Sequence, residues 1–256
     1  MTITIHSGQA GTPAPTAAEY TESTNWSGYV VPSTQSVIDA TSGTWTVPTL
    51  NCTDTPNASV SEWVGIGGVH WPGGGNSGAL LQTGTEDRCV GGAQEDDAWW
   101  ELYPSNPNAS ITFTNLDVSP GDEMQASVRK TTGGHWTTKI DDVTKGLAGV
   151  MLTGAGWGTA GDGSGSSTFS KAGTTAQLAY AGGYSAEWIV EDSGTTLTQL
   201  APFANFGAVT FSDLATSLPT WALTPAEGVE LVQNGVTLAT PDTPNSGEFD
   251  VRYTGP

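Results

Sequence analysis

From Asn25 to the C-terminus the chain reads as short segments in which apolar and polar residues alternate, each closed by a turn signal. Alternation sends successive side chains to opposite faces of a strand, so each segment has one face to bury and one to leave wet. Residues 36–40, 43–47, 109–113 and 123–128 follow this pattern. Residues 229–233 and 236–239 flank Asn234-Gly235, a strong short-range signal for a hairpin. In the last segment Phe249, Val251 and Tyr253 fall on one face. On the order of a dozen to fourteen such segments can be counted. No run of ten or more residues carries a helical period, and residues 196–204 have room for a single turn.

The predicted fold is therefore all-β, an antiparallel sandwich or barrel. Abundant Gly (34) and Pro (15) punctuate the turns. A chain of 256 residues can form one large all-β domain, and no internal repeat or break requires a second. Residues 1–22, small, polar and aperiodic, are read as a flexible N-terminal arm, a possible propeptide remnant, and 23–256 as a single domain. Residues 72–77, with a triple glycine, and 154–167 read as long loops.

Charge excludes several partners. Asp and Glu total 26 against 7 Lys and Arg, a formal charge of −19. Such a surface repels nucleic-acid phosphates and anionic membranes, and no apolar run is long enough to span a bilayer. Only 13% of residues are charged, so few salt bridges stand to fail when carboxylates protonate. This suits an acidic medium; as pH rises, self-repulsion should grow and lower the melting temperature. The N-terminus has no signal-peptide pattern, so secretion is expected with the signal absent from this chain. Cys52 and Cys89 lie in no metal-binding motif; an oxidising compartment would allow one disulfide, although spacing does not settle the pairing.

His6, His70 and His135 form no HExxH, and no GxSxG, Walker or dinucleotide motif is present. What remains is carboxylate and amide chemistry, with no metal or cofactor. Gln82 is a lone amide in the apolar run Leu80-Leu81-Gln82-Thr83-Gly84. Glu187 is a carboxylate inside Tyr184-Ser185-Ala186-Glu187-Trp188-Ile189-Val190-Glu191-Asp192, where alternation puts Glu187, Ile189 and Glu191 on one face. A buried mid-strand Glu without a partner is costly, so it calls for a reason. The residues alone leave open that Glu187 faces solvent and Gln82 pairs with a neighbouring strand.

A set of ordered segments narrows this. Asn25-Trp26-Ser27-Gly28-Tyr29, Glu62-Trp63-Val64-Gly65-Ile66-Gly67, Leu81-Gln82-Thr83-Gly84 and Asp97-Ala98-Trp99-Trp100-Glu101-Leu102-Tyr103-Pro104 occur in sequence. Ala186-Glu187-Trp188-Ile189-Val190-Glu191-Asp192 and Ala201-Pro202-Phe203-Ala204-Asn205-Phe206 follow. Together, across residues 24–213, the chain resembles the glutamic peptidase (eqolisin) family. The resemblance implies a concanavalin-like sandwich of two seven-stranded sheets and an acid endopeptidase that acts on protein or peptide; a monomer is expected. It puts the catalytic pair at Gln82 and Glu187, with Trp63, Glu86, Asp97 and Glu101 in support; alternation adds Trp99 to the face shared by Asp97 and Glu101. The chain departs from the family at Gly67, where the fungal enzymes have aspartate, in its cysteine pattern and in a longer 154–167 loop.

The chemistry is coherent. Glu187, expected to ionise near its ordinary value of about 4.3 or below, takes a proton from water and returns it to the leaving amine. Gln82 offers a donor to the oxyanion that does not titrate. These roles predict a pH optimum of about 2–4. Three competing readings exist. Asp192-Ser193-Gly194-Thr195 resembles a pepsin-like signature, but the comparable Gln82-Thr83-Gly84 lacks the second carboxylate. A β-sandwich glycoside hydrolase would use Glu62 and Glu187. A non-enzymatic carbohydrate-binding module would use a surface of the 10 tryptophans.

Overall fold

The structure, a computed structural model, describes residues 20–33, 36–69, 79–104, 110–132, 135–152, 182–196 and 199–256. Its strands are β1 (Thr21–Ser23), β2 (Trp26–Pro32), β3 (Ala40–Thr46), β4 (Ser59–Gly67), β5 (Leu80–Val90) and β6 (Ala93–Tyr103). They continue with β7 (Ile111–Asp117), β8 (Glu123–Lys130), β9 (Trp136–Asp142), β10 (Leu147–Leu152), β11 (Ser185–Glu191) and β12 (Gly194–Thr196). The last are β13 (Gln199–Leu200), β14 (Ala208–Thr216), β15 (Gly228–Gln233), β16 (Val236–Pro241) and β17 (Phe249–Tyr253). Among the described residues the one helical element is a 3-10 turn at Pro225–Glu227.

The all-β expectation holds, but the sheets are not two separate bodies. Fifteen strands join a single sheet in the order β10-β9-β8-β3-β14-β17-β16-β15-β2-β11-β4-β5-β6-β7, with β1 added beside β15. All neighbours run antiparallel except β1 and β15. β12 and β13 form a separate ribbon. The long sheet folds over on itself, so that β3 and β8 lie against β4, β8 and β9 against β5, and β10 comes near β7. The core fills this fold, with Trp45, Trp136, Trp188, Phe211, Met124 and Ile140 all below 2% exposed.

β14 explains the continuity. Its first half, Ala208 to Phe211, pairs with β17; its second half, from Ser212, pairs with β3. Between Ser212 and Ala215 the register shifts, and Asp213 sits at φ 49°. A bulge bends a strand and sharpens its twist, which lets one strand belong to both layers.

Local expectations fare unevenly. Residues 229–233 and 236–239 form the β15–β16 hairpin, with Asn234 and Gly235 at φ 52° and 76°, as a type I′ turn requires. β17 buries Phe249 and Val251 as alternation suggests. In residues 36–40 only Ile38 bridges, to Gly183, before β3 starts at Ala40. The helical turn expected near 196–204 is absent from its described part, which contains β13. Cys52 and Cys89 form a disulfide. At the N-terminus, Thr21 and Glu22, assigned to the arm, pair with Val229 and Glu230. Residues 1–19 and the loops at 72–77 and 154–167 lie outside the described residues, as do His6 and His70.

Candidate active site

β11 is the second strand of a five-strand platform, β2-β11-β4-β5-β6. Trp188 and Val190 point from it into the main core, so Glu187, Ile189 and Glu191 point to the other face. There a second apolar cluster forms from Trp26, Val30, Trp63, Val69, Leu80, Trp99, Ile189 and Val229.

Register aligns this face in rows. Glu187 pairs with Gly65, Gly65 with Gln82, and Gln82 with Glu101. The next row reads Ile189, Trp63, Gly84, Trp99. The third reads Glu191, Ser61, Glu86, Asp97. Gln82 and Glu187 are thus two strands apart, about 10 Å between Cα atoms at ordinary strand spacing, and the residue between them has no side chain. The benzo edge of Trp63 fills part of that space: a Cβ on Gly65 would meet Trp63 Cζ3 at 2.9 Å and Gln82 Cβ at 3.3 Å.

Glu187 is fully buried, and neither of its carboxylate oxygens has a partner at ordinary hydrogen-bond geometry among the described residues. Burial pushes its carboxyl well above the ordinary value, while the nearby Ser185 hydroxyl and Gly67 N–H act weakly in the other direction. This corrects the expectation of an ordinary or depressed value: in the free fold Glu187 keeps its proton under acid conditions. Gly67, where the fungal enzymes have aspartate, sits at φ 97°, a backbone that disfavours any other residue. What it brings toward Glu187 is a backbone N–H.

The Gln82 amide is oriented. Its Nε2 donates to Glu101 Oε2 at 2.9 Å, while its Oε1 is buried without a partner. Burial also raises the Glu101 carboxyl, against the effect of this bond. Trp63 Nε1 donates to Glu191 Oε2 at 2.8 Å, and Asn25 Nδ2 to Glu191 Oε1 at 2.7 Å. Removal from water lifts Glu191 to about 7 despite the Trp and Asn donors. Glu86 and Asp97 share the face but stand two rows from Gln82, and both are tied to Arg88, with Glu86 at 3.0 Å. Trp99 faces Gly84, its Nε1 buried without a partner. Asn25, Arg88 and the role of Glu191 were missed by sequence reasoning. The face alternation of Glu187, Ile189 and Glu191 was the available signal for the last.

The competing sites do not assemble. Glu62 pairs with Thr85 and Val190, which places it on the core face, opposite to Glu187, so the two cannot flank one glycosidic bond. It joins Asp87 and Asp96 instead, and Thr85 donates to it at 2.9 Å. Asp192 lies beyond the end of β11 and accepts from Gln233 at 2.6 Å. Among the described tryptophans none is exposed; seven are buried and Trp221 stacks on Trp188 at 5.5 Å.

The profile of the peptidase A4 family matches residues 24–150 and 155–253, which includes every strand of this platform. The chain belongs to that family. Among its relatives, aspergillopepsin-2 of Aspergillus niger is 28% identical over 192 residues, 73% of this chain and 56% of that protein. Scytalidopepsin B of Scytalidium lignicola is 32% identical over 130 residues, 51% of this chain and 44% of that protein. The chain thus spans about half the length of the curated peptidase A4 relatives it matches. The fold of scytalido-glutamic peptidase, solved with a transition-state analog inhibitor, superposes with a TM-score of 0.64 at 22% identity. That match covers 90% of this chain and 98% of the other. No helix among the described residues is long and apolar enough to cross a membrane.

Proposed function

We propose that the chain is an acid-acting endopeptidase in which Glu187 and Gln82 hydrolyse the peptide bond. The observation that carries this is the row Glu187–Gly65–Gln82, with two carboxylate oxygens and one amide oxygen left unpartnered around a side-chain-free position. A peptide carbonyl and a water arriving there find those atoms. Hydrogen bonds from the incoming water to Glu187 favour its ionised form and lower its proton affinity in the complex. The carboxylate then takes a proton as the water oxygen attacks the carbonyl carbon. One N–H of Gln82 is committed to Glu101, and the second is available to the oxyanion. As the C–N bond breaks, Glu187 returns its proton to the leaving nitrogen.

Family membership and the peptidase names of the relatives support the same reading. The Cys52–Cys89 disulfide supports secretion into an oxidising medium. The test is digestion of haemoglobin from pH 2 to 8, beside assays for reducing sugar released from polysaccharides. Proteolysis with a maximum on the acid side is expected; sugar release, or a neutral maximum, contradicts the proposal.

A further inference from the structure

We infer that Glu191 is a positioning residue for the catalytic pair and acts through Trp63; the inference rests on the proposed roles of Glu187 and Gln82. Glu191 does not reach the pair itself. It stands two rows away, four residues further along β11 from Glu187, a separation of about 13 Å along a strand. Trp63 occupies the row between. Its Nε1 is held by Glu191 Oε2 at 2.8 Å, and its benzo edge lies where a Gly65 side chain would be.

Trp63 is restrained from other directions as well. Trp26 meets it edge to face, with ring centroids 4.9 Å apart. Gly84 lies beneath its stem, so close that a Cβ there would come within 2.5 Å of Trp63 Cβ. Packing restrains the ring from sliding sideways. Rotation in its own plane is stopped by a directional contact, and the N–H to Glu191 supplies it. Glu191 is fixed in turn, because its other oxygen accepts from Asn25 Nδ2 at 2.7 Å. Asn25, Glu191 and Trp63 thus form a strut from the start of β2 to the floor between Glu187 and Gln82. Both carboxyl oxygens of Glu191 are thus engaged, one with Trp63 and one with Asn25.

Small displacements matter at such a floor, since a misplacement of about 1 Å can cost on the order of 10²-fold in rate. Loss of the strut should therefore lower kcat and leave substrate affinity nearly unchanged. The experiment compares kcat and KM for a chromogenic peptide at acid pH in wild type, Glu191→Ala, Glu191→Gln, Trp63→Phe and the double variants. Glu187→Gln serves as the control. Trp63→Phe keeps a ring over Gly65 but has no N–H.

Glu191→Ala and Trp63→Phe are each expected to lose about tenfold or more in kcat, with KM within about twofold. Glu191→Gln keeps one acceptor and should recover most of the loss. On the Trp63→Phe background, changing Glu191 should cost nothing further, because the link is already cut. If Glu191→Ala does not fold, Trp63→Phe with and without Glu191→Gln decides the matter: the loss of about tenfold in kcat is expected in Trp63→Phe alone, with nothing further from Glu191→Gln. Wild-type kcat in folded Glu191→Ala or in Trp63→Phe, or losses that multiply in the double variant, overturn the inference. Cleavage that survives Glu187→Gln at full rate would instead overturn the proposed function, whatever the Glu191 variants do.

Discussion

Glu187 and Gln82 stand in one cross-strand row and share Gly65 as their common neighbour. Strands normally bring such pairs together only when adjacent. Here a glycine removes the side chain that would separate residues two strands apart.

Restoring a side chain at Gly65 tests this spacing. A Cβ there would stand 2.9 Å from both Leu80 Cδ1 and Trp63 Cζ3. Leu80 can rotate away, but Trp63 is wedged against Trp26 and bonded to Glu191. Gly65→Val is expected to lower kcat about 10²-fold or more, with a smaller loss for Gly65→Ala. Steady-state kinetics on variants shown to be folded by circular dichroism provides the check. Unchanged kcat in Gly65→Val would show that the gap is not used.

The burial of Glu187 has a kinetic signature. A general base must be ionised, so activity falls as pH drops through its pKa. In the free protein burial raises that value well above the ordinary carboxyl. In the complex, hydrogen bonds to the carboxylate lower it. The acid limb of kcat/KM, which reports the free protein, should therefore lie at higher pH than the acid limb of kcat, which reports the complex. Two coincident limbs near pH 4 would mean that Glu187 is already relieved of its burial before substrate arrives.

A second group of buried acids should make stability depend on pH. Asp87 pairs directly with Asp96 across β5 and β6, and lies beside Glu62 on the core face. Burial lifts Glu62 to about 7 and Asp87 well above its ordinary value, with the neighbouring carboxylates adding to the rise for Asp87. Among the described residues neither Asp87 oxygen has a donor in reach, so the group coheres while Asp87 keeps its proton and donates it. The folded state then binds more protons than the unfolded one between about pH 4 and 7, and stability falls as pH rises through that window. Melting temperature should drop from pH 4 to pH 7. Asp87→Asn, a permanent donor, should flatten that drop and melt a few degrees higher than wild type at pH 7, since 1 kcal/mol is worth about 2–4 °C in a domain of this size. Equal slopes in the two proteins would return the effect to general surface repulsion.

The strands and their turns could be read locally, and the arrangement between them could not. The Asn234-Gly235 hairpin and the inward face of β17 follow from turn chemistry and alternation within a few residues. The joining of the two layers depends on a bulge at Asp213, a backbone event that alternation does not encode. The site shows the same division. Alternation put Glu187 and Glu191 on one face, but Asn25 reaches Glu191 across 166 positions of sequence. The faces of Glu62 and Glu187 can be compared only once β4 and β11 are in register. That register separates them and removes the glycosidase pairing. Asp97, read beside Glu101 as a support, pairs with Arg88, whose side chain carries both Asp97 and Glu86.

The most direct measurement is kcat and KM of Glu187→Gln, Gln82→Ala and Asp192→Asn on one chromogenic peptide at acid pH. Circular dichroism is used to confirm that each is folded. Glu187→Gln is nearly isosteric and should abolish turnover while peptide binding persists. Gln82→Ala should lose about 10²–10³-fold in kcat, the usual scale for one oxyanion donor, with little change in KM. Asp192→Asn should stay within a few-fold of wild type. Near wild-type kcat in either Glu187→Gln or Gln82→Ala, or a dead Asp192→Asn beside an active Gln82→Ala, would contradict the assignment of the pair.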